Sequence, residues 1–197
     1  LLGAFDQPPT ANPDDLKPLR PGILPGYLPR QSLVNSLTLL PPPPAPGSAA
    51  QAADEEAYRD IGKHRDTLRW AFAKRDAELA FPKAAETFAC ALGVAISQEK
   101  TPHLNMLLRR TLADAGLATY RAKDRYNRGR PFMVAGDPIC TPDQEASLRK
   151  DGSYPSGHAA LGWAWALILT EIAPEKADVL AQRGHAFAES RQICGVH

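Results

Sequence analysis

The chain has 197 residues, 44% of them apolar, and its 23 basic and 22 acidic residues give a net charge of +1. This composition excludes a disordered chain, and the charge balance provides no overall field that would favour nucleic acid or an anionic membrane. No apolar run is long enough to cross a bilayer. We therefore expect neither a nucleic-acid-binding surface nor a membrane span, and any anion site must be local.

The first part of the chain is rich in proline and ends in LLPPPPAPGS. Proline favours extended polyproline II backbone and prevents regular helix, so we predict an extended arm over residues 1–48 and a main domain over 49–197. Four leucines would be unusual in a solvated linker and are expected to pack on the body: Leu33, Leu37, Leu39 and Leu40. The apolar arm also predicts a homodimer or a higher homo-oligomer.

From Asp54 onward, apolar residues recur at the three-, four- and seven-residue spacings of amphipathic helices. The stripes are Tyr58, Ile61, Leu68 and Phe72; then Phe88, Leu92 and Ile96 after Pro82; then Leu104, Leu107, Leu108 and Leu112 after the cap pair Thr101 and Pro102. Further helices are expected at 117–126, 157–172 and 175–193. No alternating strand pattern is present, so we predict an all-α, compact, bundle-like domain of about six helices.

The first segment with candidate chemistry is KDRYNRGRP, which places Lys123 and Arg130 seven residues apart. This spacing puts two cations close to one face of a helix, and we expect Pro131 to end that helix. Two cations on one stripe can also be merely solvated.

The second segment is PSGH, directly before a long apolar run. A helix start leaves backbone N–H groups without partners and carries a positive dipole end, so Ser156 and Gly157 offer a seat for an anion beside His158. The alternative is an ordinary N-cap with a bystander histidine.

The third segment is SRQICGVH, at the end of the last predicted helix. Gly195 can close that helix with a left-handed residue, so Arg191 and His197 can both turn toward one site. The alternative is a frayed terminus.

The three cysteines, Cys90, Cys140 and Cys194, have neither the close spacing nor the histidine partners of a zinc site, so no metal is expected. Three buried free thiols and one disulfide plus one thiol both remain open.

Together, and in this order, the three segments resemble the signature of the phosphatidic acid phosphatase type 2 (PAP2) superfamily. Its pattern is Lys, six residues, Arg-Pro; then Pro-Ser-Gly-His; then Ser-Arg, five residues, His, and all three match without a substitution. The sequence segments SLTLLPPPPA, GSYPSGH, GWAWALIL and SRQICGVH are similar to those of the soluble class A bacterial non-specific acid phosphatases. This resemblance extends over the chain from about Leu33.

The resemblance implies hydrolysis of a broad range of phosphate monoesters at acidic pH, with no metal or other cofactor. Its expected ligands are phosphate monoesters, inorganic phosphate and other oxyanions. The implied substrate-binding residues are Lys123, Arg130, Ser156, Gly157 and Arg191. His197 would attack phosphorus to form a phosphohistidine, and His158 would protonate the leaving group. Because an acid must be protonated and a nucleophile neutral, we expect nearby charges to separate their pKa values.

The resemblance has further implications. It predicts a periplasmic or secreted, mature form lacking its signal peptide. If all three motifs bind one phosphate, Cys140 and Cys194 lie on converging segments and can form a disulfide. Cys90 lies on the face of an apolar helix and is expected to be a buried free thiol. The family pattern also has an Asp four positions after its final histidine, so we expect this sequence to be truncated at the C-terminus.

Two alternative functions remain. A vanadate-dependent haloperoxidase resembles the same superfamily site, with vanadate in place of phosphate. The chain can also be an oxyanion-binding but inactive truncated form.

Overall fold

The computed structural model describes residues 9–197, so the first eight residues of the predicted arm lie outside the described residues. Within that range the only β-pairing is an isolated bridge between Arg20 and Ile23. The α-helices are α1 (Ser36–Leu39), α2 (Ala49–Ile61), α3 (Leu68–Asp76), α4 (Lys83–Leu92), α5 (Pro102–Ala118), α6 (Tyr120–Tyr126), α7 (Pro131–Ala135), α8 (Glu145–Leu148), α9 (Gly157–Ile172) and α10 (Ala177–Ile193). The all-α fold class is confirmed.

Short 3-10 turns join several of these helices. They are Pro13–Asp15, Arg30–Ser32, Gly62–His64, Pro142–Gln144 and Pro174–Lys176. Over residues 9–197, no helix combines the length and the apolar character that a membrane span requires.

The helices α9 and α10 form an antiparallel hairpin that positions the site. A Cβ atom at Gly184 would lie only 2.7 Å from the Cβ atom of Ala166, and one at Gly162 would lie 2.6 Å from Phe187. The two glycines therefore allow the helices to approach closely. Because the connection at Pro174–Lys176 is short, the start of α9 and the end of α10 lie at the same end of the hairpin.

The hydrophobic core lies between this hairpin and helices α4 and α5. Trp165 is fully buried and contacts the edge of Phe88 at a centroid distance of 5.7 Å. Phe187 packs against Phe88 at 5.9 Å. Aromatic side chains supply large apolar areas, so this cluster fixes the hairpin on the rest of the domain.

The predicted stripe from Tyr58 to Phe72 is interrupted in the structure. The helix ends at Ile61, and Asp66 has a left-handed backbone with φ 60° before Thr67 caps α3. Leu68 is 90% exposed, so its assignment to a buried stripe was wrong. The four residues have helical spacing in the sequence, but they belong to two separate helices and form no continuous stripe.

Other helix predictions agree more closely with the structure. The bounds of α9 are confirmed at both ends, and Thr101 and Pro102 occupy the N-cap and first position of α5. The Oγ1 of Thr101 donates to Ala95 O rather than capping the helix. Three of the ten helices, α1, α7 and α8, have five residues or fewer, leaving seven longer ones among the described residues against the expected six.

The described part of the arm, residues 9–48, contacts the body through apolar and polar groups: Leu24 is 5% exposed and Ile23 packs against the core. Leu37 is 38% exposed and Leu39 is 67% exposed, so the expected packing of these leucines on the body was wrong. Ser36 instead donates to Thr119 O over 3.3 Å and accepts the N–H of Ala122 over 3.0 Å. The arm is also not wholly extended, because Ser36 begins the short helix α1. The boundary at residue 48 stays a prediction.

Candidate functional site

One cavity of about 940 Å³ collects nearly all of the predicted site residues. Those lining it are Lys123, Arg130, Gly157, His158, Arg191 and His197. They come from α6, the loop before α7, the start of α9 and the end of α10. We call the three cations and the two histidines of this set the cradle.

Lys123 lies on α6 and is buried, with 4% of its surface exposed. Its ammonium group donates to Gly152 O over 2.9 Å and lies 4.0 Å from the carboxylate of Asp151. Burial lowers the pKa of Lys123 to about 8, although Asp151 acts in the opposite direction. A buried cation with one carbonyl partner retains the capacity to bind an anion.

Arg130 does not share a helix with Lys123, so that expectation was wrong. Helix α6 ends at Tyr126, Asn127 follows with φ 39°, and Pro131 begins α7 rather than ending a helix. The left-handed Asn127 turns the chain, and this turn brings Arg130 back to the same cavity.

The guanidinium of Arg130 is almost saturated by the protein. It donates to the carbonyl oxygens of Leu148, Asp151, Gly152 and Val196 at 2.9–3.1 Å, and to the carboxylate of Asp151 at 3.2 Å. These acceptors lie on two separate stretches of the chain, one from the end of α8 to Gly152 and the other after α10. Arg130 therefore ties the segment before α9 to the segment that carries His197.

Arg191 contrasts with Arg130. It is 2% exposed, and its Nε and Nη1 atoms have no hydrogen-bond partner among residues 9–197. Burial and the neighbouring Arg130 lower its pKa. A buried guanidinium without a partner is costly, and a bound anion would remove that cost.

The Pro-Ser-Gly-His segment begins α9. Ser156 is the N-cap, and its Oγ accepts the N–H of Ala159 over 3.2 Å. Ser156 does not line the cavity, whereas Gly157 and His158 do. The N-cap interpretation is therefore correct for Ser156, while the helix start itself faces the cavity through the next two residues.

His158 is held by two neighbours. Its Nε2 lies 3.3 Å from the carbonyl oxygen of Ala77, so this nitrogen carries a hydrogen and donates it. The ring stacks on Phe187 at a centroid distance of 5.9 Å. Burial, followed by the charge of Arg191, lowers its pKa well below the usual range for histidine.

His197 contacts Arg130. Its Nε2 lies 3.5 Å from Nη1 of Arg130, and because a guanidinium only donates, this contact is a hydrogen bond only in the tautomer whose Nε2 carries a lone pair. Burial and then Arg130 lower the pKa of His197 well below the usual range. Burial, followed by the charges of neighbouring cations, therefore lowers the pKa of both histidines, and the separation of the two values stays a prediction.

The segment that carries His197 is fixed by a disulfide and a helix cap. Cys140 and Cys194 are bonded, with Cα atoms 4.8 Å apart, which confirms the predicted pairing. Gly195 has φ 78°, and the N–H of Val196 donates to Arg191 O over 3.1 Å. This is the left-handed cap predicted from the sequence. Cys90 is exposed, so the prediction of a buried thiol was wrong.

A buried network behind the cradle was missed. Asp76, 1% exposed, pairs with Arg183 and accepts the hydroxyl of Ser190 over 2.6 Å. It joins the end of α3, next to Ala77, to α10 just before Arg191. No sequence signal identified it, because the partners are more than 100 residues apart along the chain. Asp151 was missed for a simpler reason. It lies a few residues before the Pro-Ser-Gly-His segment, where a polar residue is ordinary in a loop.

Metal-ligating side chains do not cluster in the described part of the chain. No group of three His, Cys, Asp or Glu residues within 9–197 has the proximity of a metal site. Lysine, arginine and histidine side chains line the cavity together with three carboxylates, those of Glu78, Asp124 and Asp151.

Comparison with known proteins adds independent information. The PAP2 superfamily pattern matches residues 104–197. Over 172 residues the chain is 43% identical to a non-specific acid phosphatase of Providencia stuartii, covering 87% of this chain and 69% of that protein. It is 41% identical to an acid phosphatase of Zymomonas mobilis, covering 82% and 61%, and 41% identical to a non-specific acid phosphatase of Salmonella typhimurium, covering 89% and 70%. The chain therefore spans about two thirds of the length of these relatives.

Proposed function

This chain belongs to the PAP2 superfamily and, within it, to the non-specific acid phosphatases, and on that premise we propose that it hydrolyses phosphate monoesters through a phosphohistidine at His197. One observation carries the proposal. The buried guanidinium of Arg191, whose Nε and Nη1 have no hydrogen-bond partner among residues 9–197, lines the same cavity as His197.

Binding of the phosphate group is the first step. The cations Lys123, Arg130 and Arg191 offset the charge of a phosphate dianion, and the start of α9 adds backbone N–H donors at Gly157. Arg191 gains the partners that it otherwise lacks, so it contributes most to affinity. Three fixed cations supply the charge stabilisation for which other phosphatases use metal ions, so we propose a metal-independent reaction.

Phosphoryl transfer is the second step. The Nε2 lone pair of His197 attacks phosphorus, an N–P bond forms, and the P–O bond to the leaving group breaks. The leaving alkoxide takes a proton from His158. Water then attacks the phosphohistidine and gives a proton to His158. The N–P bond breaks, which returns its electron pair to Nε2 of His197 and releases inorganic phosphate.

Acidic pH fits this sequence because of the low pKa of His158. Burial and neighbouring cations favour its neutral form, and a phosphate dianion in the cavity raises the pKa by adding negative charge. Substrate binding therefore helps to protonate the acid. The reaction is expected to fall as pH rises, since fewer complexes then carry the proton on His158.

The test uses p-nitrophenyl phosphate at mildly acidic pH, with and without EDTA. We expect equal turnover in both. Activity that is lost on chelation and restored by a divalent ion would contradict metal independence. Phosphate binding without turnover in either condition would favour the oxyanion-binding, inactive alternative.

We also propose an oxidising location and self-association. The Cys140–Cys194 bond supports export to the periplasm or the medium, because disulfides persist in such compartments.

Val34 and Leu39 on the arm are 54% and 67% exposed, which supports burial against a second copy of the chain. Light scattering and cell fractionation test these two proposals. A monomer that remains in the cytoplasm would contradict both.

A further inference from the structure

The arm forms part of the wall of the cavity that contains the cradle. Leu19 and Ile23 of the arm line it, as do Arg20 and Arg30, together with apolar side chains of the body, namely Leu79, Leu112, Leu117 and Tyr120. Ligand cavities for drug-sized molecules measure about 300–1,000 Å³, and this one measures about 940 Å³. It therefore has room for much more than a phosphate group.

A tight turn presents the two arm residues to the cavity. The N–H of Ile23 donates to Arg20 O over 2.9 Å, and the N–H of Leu19 donates to Ile23 O over the same distance. Pro21 and Gly22 occupy the central positions, and the φ of 78° at Gly22 is the one that a type II turn requires. The turn therefore has a defined shape and places Leu19 beside Ile23.

Two side chains of α5 hold the arm just after this turn. The carboxylate of Asp114 accepts the N–H groups of Tyr27 and Leu28 over 2.9 and 3.1 Å. Arg110 donates to Gly26 O over 2.6 Å and stacks on the ring of Tyr27 at 3.8 Å. We call Asp114 and Arg110 the latch.

Gly26 fits the latch sterically. A Cβ atom at this position would lie 1.8 Å from Oδ1 of Asp114, so any side chain would displace the carboxylate. The backbone of the arm and α5 are thus matched to each other. A linker that merely crosses the surface requires no such fit.

We propose that this latched arm binds the organic group of the ester, which makes Leu19 and Ile23 specificity-determining residues for phosphate esters with an apolar alkyl or aryl group. The proposal rests on the proposed function for its substrate class. The charged side chains of the cradle hold the phosphate, and the apolar side chains of the wall exclude water from the group attached to it. Esters with longer apolar groups are therefore preferred over methyl phosphate.

The test measures binding rather than turnover, so that it stands apart from the phosphatase mechanism. The probes are n-hexylphosphonate and methylphosphonate, which share one head group and carry no ester bond to hydrolyse. Calorimetry on the wild-type protein is expected to give at least about tenfold tighter binding of the hexyl compound. Equal dissociation constants in the wild type would overturn the proposal.

Two variants locate the preference. Leu19→Ala is expected to reduce the ratio of the two dissociation constants severalfold, and because Leu19 is 57% exposed, the change removes no core packing. Asp114→Ala releases the latch and is expected to reduce the ratio as well. Leu39→Ala is the matched control, since Leu39 is an exposed leucine of the same arm that does not line the cavity. An unchanged ratio in Leu19→Ala, or an equal loss in Leu39→Ala, would contradict the role of the wall.

Turnover distinguishes failure of this proposal from failure of the proposed function. If n-hexyl and methyl phosphate are both hydrolysed but the phosphonates bind equally, the phosphatase assignment stands and the apolar wall is wrong. If neither ester is hydrolysed but the hexyl compound binds more tightly, the wall stands and the catalytic proposal fails.

Discussion

The cradle and the arm line one cavity but are held by different kinds of contact. Lys123 and Arg130 of the cradle are buried and bonded to carbonyl groups, and a disulfide fixes the segment that carries His197. The arm is attached to α5 by the latch, and leucines such as Leu39 are exposed on it. The charged groups that bind phosphate thus lie on the segments with the most hydrogen bonds. The proposed contacts with the organic group of the ester lie on the arm, which is attached by fewer bonds.

Arg130 and Arg191 show the same contrast within the cradle. The guanidinium of Arg130 donates its hydrogen bonds to protein oxygens, whereas two nitrogens of Arg191 have no hydrogen-bond partner among residues 9–197. These two arginines of the three-segment signature therefore differ in their contacts, and we propose that Arg130 assembles the site whereas Arg191 binds the anion.

The largest expected effect is that of His197→Ala in the complete protein. Without the Nε2 nucleophile, turnover of p-nitrophenyl phosphate should fall about 10⁴-fold or more. Phosphate should still bind, because the three cations remain. His185→Ala is the matched control, since His185 is exposed and lies outside the cavity. Turnover near the wild-type level would contradict the assignment of the cradle.

Arg191→Gln and Arg130→Gln should separate the two duties. The first is expected to lower kcat/KM about 10²–10³-fold with no loss of thermal stability, because it removes a buried charge that has no partner. The second should lower both kcat/KM and stability, because it leaves the carbonyls of Asp151 and Val196 without their donor. Equal melting temperatures for the two variants would contradict this division.

The order of these effects reflects what a sequence can predict. The motif residues were identifiable because their chemistry requires particular side chains at particular spacings, and the Gly195 cap and the cysteine pairing followed from that convergence. The bounds of α9 were predictable because Ser156 is a strong N-cap and Pro174 a strong stop.

The rest depended on tertiary contacts between distant positions. The stripe from Tyr58 to Phe72 failed because spacing alone does not detect the left-handed Asp66 between two helices. The latch uses backbone groups of the arm, which every sequence possesses, so its pattern carries no signal. The Asp76–Arg183 pair likewise depends on how α3 and α10 meet.

The disulfide should affect stability more than the latch does. Replacing Cys140 and Cys194 with serine is expected to lower the free energy of unfolding by about 2–4 kcal/mol and to reduce turnover, since the segment bearing His197 is then less restrained. Cys90→Ser is the control and should change stability by less than about 0.5 kcal/mol, because Cys90 is exposed. Urea denaturation measures both. A double variant as stable as the wild type would remove the disulfide from this account.

A smaller effect is expected from pH through Lys123. Its pKa of about 8 means that sulfate, which stays fully charged, should bind about tenfold less tightly as pH rises above that value. Lys123→Met should bind sulfate weakly at every pH and lack this step. An identical pH profile in the variant would show that another group titrates.

The same pKa fixes the sign of the stability effect. Folding lowers the pKa of Lys123 from 10.5 to about 8, so between these values the unfolded chain holds a proton that the folded chain has lost. The contribution of this group to stability therefore increases with pH in that window. Urea denaturation of wild type and Lys123→Met across the window measures the difference, and a decrease with pH would contradict the lowered pKa.

The most direct test of the central claim is to trap the intermediate in the complete protein. Wild type is mixed with excess p-nitrophenyl phosphate, quenched in alkali within one turnover, digested and analysed by mass spectrometry. We predict one phosphoryl group on the peptide ending in or containing His197, attached to the imidazole and lost on acid treatment. No label under these conditions, or a label on Ser156 or His158, would contradict the proposed mechanism.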